Sequence, residues 1–87
     1  MLDLFVADKK EGVCKLCSPA KLTRYVVKHL QNIYEKSHVS IEVKAEEGIC
    51  YLEPDLFQTL LINLLDNAKK AMEQGGIIWV IVEFTGN

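Results

Sequence analysis

Apolar residues keep two different periods along this chain, and the switches between them mark the elements. Ser18-Pro19 opens a segment in which Leu22, Val26, Leu30 and Ile33 recur at helical spacing, widened by Val27 and Tyr34, while Lys21, Arg24, Lys28 and Asn32 lie outside the stripe. Ser18 can cap orphan N–H groups, and Pro19 loses nothing at the first helical position by lacking a donor, so a helix is predicted from about Pro19 to Lys36. Ile41, Val43 and Ala45 then alternate with Glu42, Lys44 and Glu46, the period of a half-buried strand. Glu47-Gly48 can turn that strand back into Ile49-Cys50-Tyr51-Leu52, which predicts a hairpin over Ser40 to Leu52. Pro54, between the acids Glu53 and Asp55, opens a second helix expected to reach about Gln74, where Gly75-Gly76 supplies a left-handed stop. Its apolar arc is Phe57, Leu60, Leu61, Leu64, Leu65, Ala68, Ala71 and Met72. Ile77-Ile78-Trp79-Val80-Ile81-Val82 is uninterrupted, rich in β-branched residues and short, and reads as a buried strand. Ahead of the first helix, Leu2, Phe5 and Val6 suggest a short strand entering a turn at Asp8 to Gly12, and Val13 to Leu16 a second extended piece.

That order, strands, helix, hairpin, helix, strand, predicts an α+β fold: a two-layer α/β sandwich with two helices on one face of a mixed sheet. Eighty-seven residues make one domain, 1-87. A net charge of −2 with interspersed signs offers no basic field, which argues against nucleic acid as a partner. The longest apolar runs fall well short of the roughly 20 residues of a bilayer span, so no membrane contact is expected of this segment. Met1 to Asp8 has no basic n-region of a secretion signal. Three cysteines do not make a disulfide framework, and a reducing, cytoplasmic setting is expected.

The second helix carries the chemistry. With Asn63 at zero on a wheel of 100° per residue, Asn67 falls at about 40°, Lys70 at about −20° and Gln74 at about 20°. Leu60 at about 60° and Leu64 at about 100° border this stripe, so the asparagines are expected to be half-buried, with Asp66, Lys69 and Glu73 turned to solvent. Asparagine is among the poorer helix formers, and two of them in mid-helix call for a compensating role. A carboxamide oxygen suits Mg²⁺, whose coordination is commonly completed by water and phosphate, and a lysine one turn on can meet a phosphate as a point charge. Hydrogen bonds from both asparagines to a neighbouring strand or loop are the plainer alternative.

The run Asp55-Leu56-Phe57-Gln58-Thr59-Leu60-Leu61-Ile62-Asn63-Leu64-Leu65-Asp66-Asn67-Ala68-Lys69-Lys70-Ala71, followed by Gly75-Gly76 and an apolar strand, resembles the N-box of bacterial sensor histidine kinases. These belong to the ATPase superfamily of gyrase, heat-shock chaperone, histidine kinase and mismatch-repair proteins, with the Bergerat-type fold. The resemblance implies that Asn67 matches the residue that coordinates the Mg²⁺ bridging the ATP phosphates. It implies a supporting role for Asn63 on phosphate or metal, and phosphate contact for Lys70. In the gyrase and chaperone branches the Asn63 position is a glutamate that activates water; an amide accepts no proton near neutral pH, so the resemblance implies phosphoryl transfer to a histidine rather than hydrolysis. A phosphoacceptor domain and a response regulator are the partners implied for a parent protein, which could be anchored in the bacterial inner membrane.

The departures from the pattern shape a second expectation. The family places its DxGxG adenine box, its lid and a further glycine-rich box after the strand that Ile77 to Val82 resembles, and the sequence ends at Thr85-Gly86-Asn87. The chain therefore reads as the N-terminal half of such a domain, with binding of ATP and Mg²⁺ weak or absent. His29 precedes Leu30 and His38 precedes Val39, so neither sits in a phosphoacceptor box of His, acid and proline. An apolar strand without its later neighbours exposes an edge, and self-association through Ile77 to Phe84 is expected. The alternative function is accordingly a non-catalytic interaction or dimerisation module. Cys14-Lys15-Leu16-Cys17 is a C-x-x-C, but Cys50, His29 and His38 stand at no paired spacing for zinc, and ordinary small apolar residues is its plainest reading. Tyr25, Tyr34 and Tyr51 are expected at the edge of the core.

Overall fold

The computed structural model of the chain describes residues 13 to 85. Six elements follow one another: β1 (Lys15–Cys17), α1 (Pro19–Glu35), β2 (Val39–Ala45), β3 (Cys50–Leu52), α2 (Pro54–Lys70) and β4 (Gly76–Val82). The helix starts follow from their first residues. The Ser18 hydroxyl accepts the Lys21 N–H at 3.2 Å and Pro19 occupies the first turn of α1. At α2, Pro54 again leads, and Asp55 in the first turn with Lys69 and Lys70 in the last complement the helix dipole. Helix α2 stops at Lys70, short of the predicted Gln74, and a turn leads to Gly75 and Gly76. Both glycines take positive φ, 87° and 149°, as their position between helix and strand predicts.

The architecture is α+β, with two helices and two two-stranded sheets. Strands β2 and β4 run parallel, from Val39 opposite Gly76 to Ala45 opposite Val82. One face of this ladder presents Val39, Ile41 and Ile78 to Val26, Val27 and Tyr34 of α1 and Leu65 of α2, and these residues form the core. Both helices thus lie on the same face of that ladder. The other face carries Ser40, Glu42 and Lys44 on β2 and Ile77, Trp79 and Ile81 on β4, all exposed. Strands β1 and β3 pair antiparallel as a separate small sheet. Among the described residues no helix is long and apolar enough to cross a membrane.

Several expectations are corrected. The hairpin over Ser40 to Leu52 does not form, because β2 takes β4 as its partner and β3 takes β1. The connection between them is held elsewhere: the Glu46 N–H donates to Val82 O at 2.9 Å, the Glu46 carboxylate accepts the Phe84 N–H at 3.0 Å, and Gly48 lies against the Phe84 ring. Glu46 therefore extends the parallel ladder instead of reversing the chain. The parallel and antiparallel pairings of the α/β arrangement fall in two small sheets for the same reason. Strand β4 is half-exposed rather than buried, since the helices cover only one side of it. On α1 the inward stripe runs through Ala20, Thr23, Val26, Val27 and Tyr34, which leaves the predicted Ile33 in solvent; Tyr25 and Tyr51 are likewise exposed. The strand proposed at Leu2 to Val6 and the turn at Asp8 to Gly12 lie outside the described residues.

The core assignment separates two adjacent leucines, Leu65 at 2% exposure and Leu64 at 66%. Leu65→Ala is expected to destabilise the chain by about 2 to 4 kcal/mol through lost burial and a residual cavity, and Leu64→Ala by under about 0.5 kcal/mol, read from urea unfolding midpoints. Equal effects would overturn the orientation of α2.

Candidate functional site

The rotation of α2 about its own axis decides what its polar stripe can do. Leu65 enters the core, with Leu61, Ala68 and Met72 packed beside it, and this leaves the opposite side of the helix outward. Asn63, Asn67 and Lys70 all lie there, exposed on one stripe. Among the described residues neither carboxamide takes part in a hydrogen bond and Lys70 makes no ion pair. The expected half-burial of the asparagines is corrected, because Leu60 and Leu64, expected to bring the core up to the stripe, are themselves exposed, as is Leu56. The alternative in which both amides bond to a strand is not what the geometry holds. Gln74 leaves the stripe: it sits in the turn beyond the helix end.

The flank expected to face solvent makes the contact with α1. The Tyr34 hydroxyl donates to the Asp66 carboxylate, and Lys69 Nζ stands 5.6 Å from the centroid of the Tyr34 ring. Tyr34 is buried in the core, so this ring is a peg between the helices with its polar end on Asp66. Burial, the hydrogen bond to Asp66 and the neighbouring negative charge, in that order, push the Tyr34 phenol well above its ordinary value of 10.0. The sequence signal for this contact was present but weak: a tyrosine at the end of one helical stripe and an i, i+3 acid and base on another.

The stripe offers two neutral carboxamide oxygens and one ammonium within two turns of an exposed helix. That set fits a phosphate group carrying a hard cation, with Asn67 and Asn63 as oxygen donors and Lys70 as the counter-charge. Among the described residues no cluster of three or more His, Cys, Asp or Glu side chains could hold a metal by itself. A cation on this face would therefore share the oxygens of its own ligand and of water. His29 belongs to the surface of α1, its Nδ1–H donating to Tyr25 O at 2.8 Å and its ring tilted on the Tyr25 ring. Against known proteins, no family model matches the chain and no curated protein matches it.

Tyr34 gives the helix pairing a pH signature. Its folded-state pKa is raised, so its contribution is fully present below the unfolded value of 10.0 and is lost as pH rises above it, where the unfolded chain releases the phenolic proton first. Tyr34→Phe is expected to cost about 1 to 2 kcal/mol at neutral pH and to flatten the decline of stability at alkaline pH. Urea unfolding of both proteins, at neutral pH and above the ordinary tyrosine pKa, reads it. Parallel profiles would remove Tyr34 as the cause.

Proposed function

We propose that α2 is the phosphate-facing helix of a Mg-ATP site of the sensor histidine kinase type, and that the chain is part of such an ATP-binding domain. The observation that carries this reading is the string Asn63-Leu64-Leu65-Asp66-Asn67-Ala68 folded so that its core leucine, Leu65, is buried while Asn63, Asn67 and the following Lys70 are exposed together and free of partners among the described residues. Asn67 and Asn63 would hold the cation and the phosphate oxygens, and Lys70 would balance the remaining charge. Mg²⁺, when bound, neutralises charge on the phosphates. The chain's own contribution is positioning: a rigid helix, pinned by Leu65 in the core and by Asp66 and Lys69 on Tyr34, presents the two amides without side-chain groups to displace first. Asn63 holds no proton to give or take, which suits transfer to a histidine on a phosphoacceptor domain better than activation of water. A response regulator would then be the downstream partner.

Calorimetric titration of Mg-ATP into the purified chain, with Asn67→Ala beside it, tests the proposal. Weak binding, at about 1 mM and worth roughly 4 kcal/mol, that is lost in the variant, is the expected result. A folded protein that takes up no heat, or a variant that binds as well as its parent, would sink it.

A second reading is favoured by one separate observation. Ile77, Trp79 and Ile81 form an exposed apolar row on β4, Trp79 at 60% exposure, and among the described residues the outer edge of β4 has no strand beside it. Such a row with a free edge fits a module that associates with a second copy through Ile77 to Phe84. Sedimentation equilibrium should then show dimers or larger species that Trp79→Glu returns to monomer. A monomer at every concentration would dismiss this reading and leave the nucleotide reading untouched.

A further inference from the structure

The three cysteines are free thiols, and the fold pairs them differently from the way the sequence does. In sequence, Cys14 and Cys17 form the C-x-x-C. In the structure, Cys17 ends β1 and stands directly opposite Cys50, the first residue of β3, in an antiparallel register that also sets Leu16 against Tyr51 and Lys15 against Leu52. Directly opposite residues of an antiparallel pair share a face of the sheet, with Cα atoms about 5.5 Å apart in one type of pair and about 4.5 Å in the other. Both separations lie inside the roughly 4.4 to 6.8 Å that a disulfide spans. The C-x-x-C has no such pairing, because Cys14 lies before the strand that Cys17 ends. Exposure differs too: Cys14 is open to solvent, whereas Cys17 and Cys50 are both half-buried.

We propose that Cys17 and Cys50 are an oxidation site, closing a reversible cross-strand disulfide by exchange with a low-molecular-weight disulfide such as glutathione disulfide. The thiolate of one cysteine attacks a glutathione sulfur, the glutathione S–S bond breaks, and one glutathione thiolate leaves. The thiolate of the other then attacks the protein sulfur of the mixed disulfide and expels the second glutathione. Two cysteine thiols are oxidised, one glutathione disulfide is reduced to two thiols, and the two cysteine protons end on the departing glutathiones. The bridge falls at a mechanically useful place. Cys17 precedes Ser18, the cap of α1, and Cys50 begins the three-residue strand that leads into Glu53 and α2. Oxidation would close a loop through all of α1 and β2 and fasten the starting points of both helices to each other. The small β1–β3 sheet, separate from the β2–β4 core ladder, would gain a covalent tie.

The full chain is equilibrated in glutathione buffers of graded disulfide-to-thiol ratio, quenched in acid, alkylated and mapped by mass spectrometry without reduction. The expected product has lost two hydrogens, retains one alkylatable thiol, at Cys14, and yields a peptide pair joined through Cys17 and Cys50. The bridge should persist in Cys14→Ser and vanish in Cys17→Ser and in Cys50→Ser. Its melting temperature should rise on the order of 10 °C over the reduced chain and return on addition of dithiothreitol. A bridge that maps to Cys14 and Cys17, a product linked only between chains, or a glutathione adduct that never closes would overturn the proposal. Because the map of the unsubstituted chain locates the bridge by itself, the outcome stands even where a serine variant fails to fold.

Discussion

Parallel strands cannot be joined by a tight turn; they need a crossover of a dozen or more residues, and in this chain β3 and α2 are that crossover between β2 and β4. The ladder from Val39 opposite Gly76 to Ala45 opposite Val82 brings the two longest strands together, with α2 passing over the face that α1 also covers. Its starting point is tightly set. The Gly76 N–H donates to His38 O at 3.0 Å, and His38 itself turns with φ at 64°. A Cβ on Gly75 would come within 2.5 Å of the same carbonyl, so the glycine is required by a close approach as well as by its own positive φ. The loops after α1 and after α2 therefore meet at one point, and the register of the ladder is counted from there.

A ladder covered on one side only leaves an imbalance in β4. Strand β2 resolves its two faces by alternation, with Val39 and Ile41 inward and Ser40, Glu42 and Lys44 outward. Strand β4 has no such alternation. It turns Ile78 inward and Ile77, Trp79 and Ile81 into solvent beside the polar row of β2. The same imbalance recurs on α2, where Leu56, Leu60 and Leu64 stand outside beside the asparagines. Both surfaces come from elements apolar on more sides than this fold can cover.

Local signals were legible in the sequence wherever one residue acts on its own neighbours. Ser18 and Pro19 start α1, Pro54 starts α2, and Gly75 and Gly76 take the positive φ their place suggests. The period-2 stretch at Ile41 to Ala45 and the run from Ile77 to Val82 both became strands. What could not be read was partnership. Glu47-Gly48 has the chemistry of a turn, but turn chemistry competes with whatever else the strand can pair with, and an apolar strand thirty-odd residues on offered β2 more burial than Ile49 to Leu52 could. The cysteines show the same limit from the other side: spacing along the chain grouped Cys14 with Cys17, and register across the sheet grouped Cys17 with Cys50. The polar stripe of α2 was visible as a stripe, whereas its distance from the core was not, because a wheel gives angles between residues and no absolute direction.

That absolute direction can be argued by asking why α2 does not roll by one residue. A roll of about 100° would put Leu64 where Leu65 sits and Leu60 where Leu61 sits, exchanging one pair of leucines for the other in the core at no change of helix length. It would also carry Asn67 to the half-buried place of Ala68, where a carboxamide stripped of water and given no partner costs about 1 to 3 kcal/mol. Leu65 would arrive where Asp66 now accepts the Tyr34 hydroxyl, leaving that phenol without its acceptor, and Lys69 would swing off the Tyr34 ring. The leucines would only change places, while Asn67 and Tyr34 would lose. The exposure of the amide stripe is thus a consequence of the Tyr34 peg and of the amides themselves, and the leucines beside it stay in water because the groups that share their helix cannot leave it. On the proposed reading this is how a helix keeps two carboxamides and a lysine ready for an anion: the residues that would suffer from being buried are also the ones that hold the helix the right way round.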